Sequence, residues 1–211
     1  MKVLIVGDPH GSKKIYKLPF RKADTTLITG DIGKADLARK YFFKYGSRWR
    51  AKLAKQEIEK ANLQPIKSSL EILTFLNKRI KTYFIFGNVE KSDSQIRRMN
   101  KEFGIKLPLF ESKVKKLRNV QIISKKKINF NGMKIAGYPY FLDTRWVKTF
   151  APKDKEMLER ARLDEKEAKF FFNNIGKVDI LLTHQPPYGY LDKVRNPSAP
   201  KSWYGKSAGS P

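Results

Sequence analysis

Short apolar runs, each followed at once by glycine or a polar residue, recur along the chain. The four clearest runs are Lys2–Val6, Thr26–Thr29, Thr82–Phe86 and Val178–Thr183. Their β-branched, leucine and aromatic content is typical of strands that are buried on both faces. The pattern therefore predicts a sheet protein whose strands end in polar loops.

Segments with helical character separate these strands. Apolar residues at helical spacing follow Pro65, and since proline suits the first turn of a helix, we expect a helix to open there. Ser92 is a typical cap for a helix to Phe103, and residues 153–175 predict a long charged helix. Shorter strands are expected at 119–124, 126–130 and 133–137, with Asn131-Gly132 joining the last two as a hairpin. These elements together predict a mixed α/β (α+β) fold.

The 211 residues suffice for one well-buried domain. No internal repeat or separating linker is evident, so we predict a single domain over 1–211, with 34–65 as a helical insertion and 189–211 as an irregular tail. The sequence has no cysteine, signal-peptide pattern or apolar run long enough to span a membrane. These features favour a cytoplasmic protein without disulfides, thiol chemistry or membrane partners.

The chain is strongly basic, with 45 Lys and Arg against 20 Asp and Glu and a net charge of +25. Such a surface attracts phosphate-bearing partners, with nucleic acid as the first candidate, although a lysine-rich surface of a biased proteome is the alternative. Between residues 41 and 63, aromatic and basic residues interleave, as in single-stranded nucleic-acid binding sites. An amphipathic helical segment whose aromatics pack inward is the favoured interpretation.

Each of the four predicted buried strands ends in a side chain that can bind a metal ion. Asp8 and His10 follow the first strand, Asp31 the second, Asn88 the third and His184 the last. Ligands of open α/β sheets bind at the carboxyl ends of strands. Carboxylate, carboxamide and imidazole groups suit a mixed site for Mn²⁺, Fe, Zn²⁺ or Ni²⁺. Asp8 as a helix cap with His10 as an ordinary loop residue is the competing interpretation, and the other strand ends weaken it.

The blocks Gly-Asp-x-His-Gly (7–11), Gly-Asp (30–31), Gly-Asn-x-Glu (87–90) and Thr-His-x-Pro-Pro (183–187) resemble, in order, those of the calcineurin-like metallophosphoesterase family. The resemblance covers residues 1 to about 189. It implies a four-layer β-sandwich of two sheets flanked by helices. It also implies a phosphatase or phosphodiesterase in which a hydroxide bridging two metal ions attacks phosphorus. Asp8 and His10 would then bind the first ion, Asp31 would bridge, and Asn88 and His184 would bind the second.

The resemblance also implies the cofactor and the partners. Two divalent ions are expected, with manganese first and iron, zinc or nickel as alternatives. The substrate would be a phosphate ester, with nucleotide and nucleic acid included.

Val89 occupies the position of the histidine that the family uses to stabilise the transition state or protonate the leaving group. Valine can do neither, so we expect the rate of hydrolysis to be lower by about 10²–10⁴-fold. No catalytic residue is assigned, and substrates with good leaving groups should suffer least.

The family's final Gly-His-x-His block, with the helix and strand before it, has no counterpart here. Three interpretations stay open: a truncated product, one piece of a split protein completed by a partner chain that brings the two histidines, or a degenerate homologue. A homo-oligomer is a separate expectation. Metal-dependent phosphoester hydrolysis is the leading hypothesis. A non-catalytic, basic nucleic-acid-binding module on the same fold is the alternative, and a nuclease-like phosphodiesterase lies between them.

Overall fold

The computed structural model describes residues 1–46, 48–195, 197 and 199–210. The chain divides into two compact units, Met1–Ser124 and Lys125–Pro211. The organisation of 1–211 as one domain stays a prediction.

A parallel sheet with strand order β1-β2-β3-β4 forms the centre of unit 1. Its strands are β1 Val3–Val6, β2 Thr25–Ile28, β3 Thr82–Phe84 and β4 Val120–Ile122. In the register, Val6 pairs with Ile28 and Ile28 pairs with Phe84. Because the strands are parallel and aligned, the carboxyl ends of β1, β2 and β3 lie side by side.

Strand burial follows position in the sheet. All residues of β2 and β3 are buried, as their apolar sequences predict. Burial of β1 on both faces was a wrong prediction, because Ile5 is 63% exposed. The physical reason is that β1 is an edge strand of this sheet and pairs only with β2.

Helices and 3₁₀ turns surround this sheet. The helices are α1 Asp36–Tyr45, α2 Lys55–Asn77, α3 Asp93–Phe103 and α4 Phe110–Val114. The 3₁₀ turns are Lys13–Lys17, Phe20–Lys22 and Trp49–Lys52. Ser92 caps α3, as the sequence predicts, by accepting a hydrogen bond from the backbone of Gln95.

Helix α2 runs through Pro65, so the prediction that a helix opens at this proline was wrong. An interior proline costs about 3 kcal/mol. The apolar face of α2 is buried on both sides of it, at Ile58 and Ile66, and this burial offsets the cost. Gly33 lies directly against this turn, since a β-carbon there would come within 2.3 Å of the Pro65 carbonyl oxygen. Helix α2 thereby fixes the loop that follows β2.

Unit 2 contains a three-stranded sheet with order β5-β6-β7. Its strands are β5 Lys126–Phe130, β6 Met133–Tyr138 and β7 Ile180–Thr183. The predicted hairpin is confirmed, since β5 and β6 are antiparallel and Asn131 and Gly132 both have positive φ, as a type I′ turn requires. Strand β7 runs parallel to β6. As an edge strand it leaves Leu181 46% exposed, so its burial on both faces was also wrongly predicted.

Two helices, α5 Thr144–Phe150 and α6 Lys155–Asn174, complete the regular structure of unit 2. Tyr138 is buried against the rings of Phe141, Phe171 and Phe172. The described residues beyond 189 form a 3₁₀ turn at Lys201–Trp203 and isolated bridges. Parallel and mixed sheets with helices confirm the mixed α/β class. Among the described helices, none combines the length and apolarity needed to cross a membrane.

Candidate metal centre

The loop after β1 carries Asp8 and His10 in the left-handed backbone region, with φ of 38° and 45°. Such strained conformations of residues other than glycine cost about 1–3 kcal/mol and cluster at functional sites. Backbone bonds hold this loop to the one after β2, since His10 N donates to Asp31 O at 2.9 Å and Gly11 N donates to Ile32 O at 2.8 Å. The positions of the two loops are therefore coupled before any ligand binds.

Asp31, in the loop after β2, is the carboxylate that the other two loops contact. Its side chain is buried, and its Oδ1 accepts a hydrogen bond from Val89 N, in the loop after β3, at 2.9 Å. Its Oδ2 lies 3.7 Å from His10 Nε2, in the loop after β1. In the first of these loops Asp8 Oδ1 accepts from Thr29 Oγ1 of the second loop at 3.5 Å. Asp31 is thus centrally placed among the strand ends of unit 1.

Glu90 holds the second and third loops together. Its buried carboxylate accepts backbone hydrogen bonds from Asp31 at 2.9 Å, Ile32 at 2.8 Å, Gly33 at 3.4 Å and Gly87 at 2.9 Å. Burial raises the pKa of Glu90, and the charge of Asp31 adds to this, while the backbone donors act in the opposite direction. Glu90 is the last residue of the Gly-Asn-x-Glu block, which is the sequence signal for it, but no role was predicted for this glutamate.

Asn88 is exposed in the third loop, and its backbone carbonyl oxygen accepts a hydrogen bond from Lys91 Nζ at 2.7 Å. The neighbouring Val89 is half-buried and contributes its backbone N–H to Asp31. The valine side chain offers neither a proton nor a hydrogen bond at this position.

The His10 imidazole is contacted through one nitrogen. Arg39 Nη2 lies 3.5 Å from Nε2, on the same nitrogen that faces Asp31. The other nitrogen, Nδ1, is buried without a hydrogen-bond partner among the residues that the structure describes. Arg39 was not singled out from the sequence, because its side chain reaches the site from α1 and not from a strand end.

His184 follows β7 and belongs to unit 2, whereas the other four candidates belong to unit 1. The Tyr140 ring lies edge-on to the imidazole, with ring centroids 5.8 Å apart. The next residue, Gln185, exchanges two hydrogen bonds with the backbone of Phe141, as acceptor from its N–H and donor to its carbonyl. Thr183 Oγ1 also donates to the Gln185 carbonyl at 3.1 Å.

The ligand chemistry of unit 1 suits a divalent ion. Two ligands that each lie about 2.1 Å from one ion are separated by at most about 4.2 Å. The 3.7 Å between His10 Nε2 and Asp31 Oδ2 is within this limit. The described part of the chain contains no group of three or more His, Cys, Asp or Glu side chains placed to hold an ion together. The support for an ion is thus the chemical type of the predicted ligands and the separation of one pair, His10 with Asp31.

The aromatic and basic segment divides into a packed part and an exposed part. Trp49 is buried, the Arg50 guanidinium lies over its ring at 4.3 Å, and Arg50 Nη2 donates to Asn62 Oδ1 at 3.1 Å. Burial lowers the pKa of Arg50. Phe43 and Tyr45 are 38% and 36% exposed, with Lys44 Nζ 4.9 Å from the Tyr45 ring centroid.

The fold and the strand-end blocks define a phosphoesterase-like α/β protein, and comparison with known proteins agrees. One solved crystal structure is similar with a TM-score of 0.59 and 14% sequence identity, over 98% of this chain and 76% of the other. The family model for calcineurin-like phosphoesterases matches residues 1–207, so the chain belongs to this family. A comparison with curated proteins finds no significant match.

Proposed function

We propose that this protein hydrolyses phosphate mono- or diesters at the carboxyl ends of β1, β2 and β3. Membership of the calcineurin-like family implies a metal-dependent phosphoesterase. The observation that carries the proposal is the placement of Asp31, a buried carboxylate with its two oxygens directed to groups in two different loops. A carboxylate so placed can be shared between two ions.

In this proposal Asp8 and His10 hold a first ion, Asp31 is shared, and Asn88 holds a second, with manganese as the first choice. His184 belongs to the ligand set on the family resemblance alone. Bound divalent ions would supply Lewis acidity and a nucleophile from water at neutral pH. The absence of cysteine supports a cytoplasmic setting for this chemistry.

The protein's own residues contribute positioning more than proton transfer. Glu90 accepts hydrogen bonds from the backbone N–H groups of Asp31 and Ile32. These bonds hold the loop that carries the Asp31 ligand in place. Val89 supplies no acid for the leaving group, so activity should favour esters whose leaving groups need no proton. Nitrophenyl esters are such substrates.

The test compares wild type with Asp31→Ala in elemental analysis and in Mn²⁺-dependent hydrolysis of bis-p-nitrophenyl phosphate. We expect metal uptake and turnover in wild type and the loss of both in Asp31→Ala. Glu71→Ala removes an exposed carboxylate from α2 and serves as the control. Equal metal content and equal turnover in wild type and Asp31→Ala would refute the proposal.

A non-catalytic nucleic-acid-binding module is the second candidate function. The exposed Phe43 and Tyr45 beside Lys44 favour it, since bases stack on aromatic rings while lysine contacts phosphate. We expect Phe43→Ala with Tyr45→Ala to weaken salt-dependent binding of single-stranded RNA or DNA by about tenfold or more. Tyr190→Ala, at an exposed aromatic residue of unit 2, is the control, and equal affinities would exclude this surface.

Charge reversal of basic residues in this segment is a second test of nucleic-acid binding, and the structure shows which residues suit it. Arg50 packs on Trp49 and bonds to Asn62, so its replacement would perturb the fold as well as the surface charge. Arg48 and Lys52, which are exposed, are the residues to reverse.

A further inference from the structure

We infer that Arg39 binds the phosphoryl group of the substrate and provides the positive charge that the missing histidine at position 89 would otherwise supply. The inference rests on the proposed function and names a residue that the family blocks do not contain. Its basis is the 3.5 Å approach of the Arg39 guanidinium to His10 Nε2, at the centre of the candidate site.

The backbone just before Arg39 is held by α2. It lies near the start of α1, where Lys34 N donates to Ser68 Oγ at 2.7 Å and Leu37 N donates to Gln64 Oε1 at 3.1 Å. Both acceptors belong to α2, the long helix that also packs on Gly33. The helix that carries Arg39 and the loop that carries Asp31 are therefore positioned by one element.

The contact with His10 is a weak one for an arginine. At 3.5 Å it lies at the outer limit of a hydrogen bond, and the imidazole accepts through a single lone pair. An ion bound through Nε2 would use that lone pair, which leaves the guanidinium beside the site with its donors available for an anion. Guanidinium groups bind phosphate through two parallel N–H bonds.

The neighbouring lysines are engaged elsewhere. Lys34 Nζ pairs with Asp36 at 3.2 Å, and Lys91 Nζ donates to the backbone carbonyls of Asn88 and Glu90. Arg39 approaches the side chain of a candidate metal ligand, His10, whereas Lys91 contacts the backbone carbonyl of another, Asn88. Since an arginine stays protonated, it can stabilise developing charge but cannot protonate a leaving group.

The experiment measures Mn²⁺ affinity and inorganic phosphate affinity by calorimetry on wild type, Arg39→Ala, Arg39→Lys and Lys40→Ala. Lys40 is exposed, adjacent to Arg39 on α1 and equal in charge. Its removal therefore controls for the loss of one positive charge near the site. Steady-state hydrolysis of bis-p-nitrophenyl phosphate by the Mn²⁺-loaded proteins gives kcat and KM.

We expect Arg39→Ala to weaken phosphate binding by about tenfold or more and to lower kcat by about 10²-fold, with Mn²⁺ affinity retained. Arg39→Lys should recover part of the phosphate affinity, and Lys40→Ala should resemble wild type. Arg39→Ala that matches Lys40→Ala in phosphate binding and kcat would overturn the inference, as would a loss of Mn²⁺ affinity alone, which assigns Arg39 to holding His10. Failure of wild type to take up Mn²⁺ would instead overturn the proposed function and the inference with it.

Discussion

The strand-end loops of the two units are held by different kinds of contact. In unit 1, backbone N–H groups converge on the buried Glu90 carboxylate and fix the loops around Asp31. In unit 2, the loop that carries His184 is held by the neutral Gln185 side chain and the edge of the Tyr140 ring.

The comparison shows that the loops of unit 1 are firmly held but lack a proton donor. The Glu90 side chain accepts four backbone hydrogen bonds, whereas the Gln185 side chain makes two with the backbone of Phe141, so the loop that carries Asp31 is the more strongly fixed of the two. The same loops contain Val89 where a proton donor would be useful. The loops of unit 1 are therefore suited to hold metal ligands in place, but they supply no side chain at position 89 that can transfer a proton.

The largest effect should come from giving the unit 1 loop a proton donor. We expect Val89→His to raise the rate of Mn²⁺-dependent hydrolysis of a phenyl ester, a poor leaving group, by about 10²-fold or more. The gain should be smaller for nitrophenyl esters, because their leaving groups need no proton. Val89→Gln, similar in size but without acid chemistry, is the control, and an equal gain in both variants would contradict the account.

The second effect tests the carboxylate framework itself. Glu90→Gln keeps the shape of the side chain but turns an amide N–H₂ toward some of the backbone donors. We expect the free energy of unfolding to fall by about 1–3 kcal/mol and Mn²⁺ affinity by about 10–100-fold. Denaturant titration and calorimetry would measure these changes. Glu71→Gln on the exposed face of α2 is the control, and the same result in both would remove Glu90 from the site.

The matching change in unit 2 should be milder. Gln185→Leu removes both hydrogen bonds to Phe141, and we expect a loss of about 1 kcal/mol in the free energy of unfolding. Mn²⁺ affinity should change less than in Glu90→Gln. A larger loss of Mn²⁺ affinity in Gln185→Leu than in Glu90→Gln would reverse the comparison, with exposed Gln121→Leu as the control.

The smallest effect concerns the pH stability of unit 2. Burial, with a smaller contribution from Glu167 and Asp164, raises the pKa of Tyr138 above the ordinary value near 10. Above pH 10 the unfolded chain ionises this residue while the folded chain keeps it neutral, so stability falls as pH rises. We expect Tyr138→Phe to reduce that alkaline slope by up to about 1.4 kcal/mol per pH unit.

Urea titrations between pH 9 and 11 would measure the slope. Tyr204→Phe at an exposed ring is the control and should leave the slope unchanged. If the free energy of unfolding fell with pH as steeply in Tyr138→Phe as in wild type, Tyr138 would not be the cause of the alkaline loss of stability.

The sequence predicts most elements of this fold because apolar runs and turn residues are local signals. The β5–β6 hairpin at Asn131-Gly132 and the Ser92 cap of α3 are confirmed. Burial of β1 and β7 on both faces was wrongly predicted, because an apolar sequence does not reveal which strand lies at a sheet edge. Helix α2 passes through Pro65 because the burial of its apolar face, a tertiary effect, outweighs the local cost.

The candidate ligands could be predicted for a similar reason, since each directly follows an apolar run. Glu90 and Arg39 could not be assigned roles in this way. The role of Glu90 depends on backbone donors from residues 31–33, and that of Arg39 depends on the packing of α1 against α2. Such contacts between residues distant in sequence appear only in the folded chain.

Electron paramagnetic resonance of the protein with two equivalents of Mn²⁺ tests most directly whether Asp31 is shared between two ions. We expect the multiline spectrum of an exchange-coupled pair in wild type and its loss in Asp31→Ala. A six-line spectrum of uncoupled Mn²⁺ in wild type, unchanged in Asp31→Ala, would contradict the shared site.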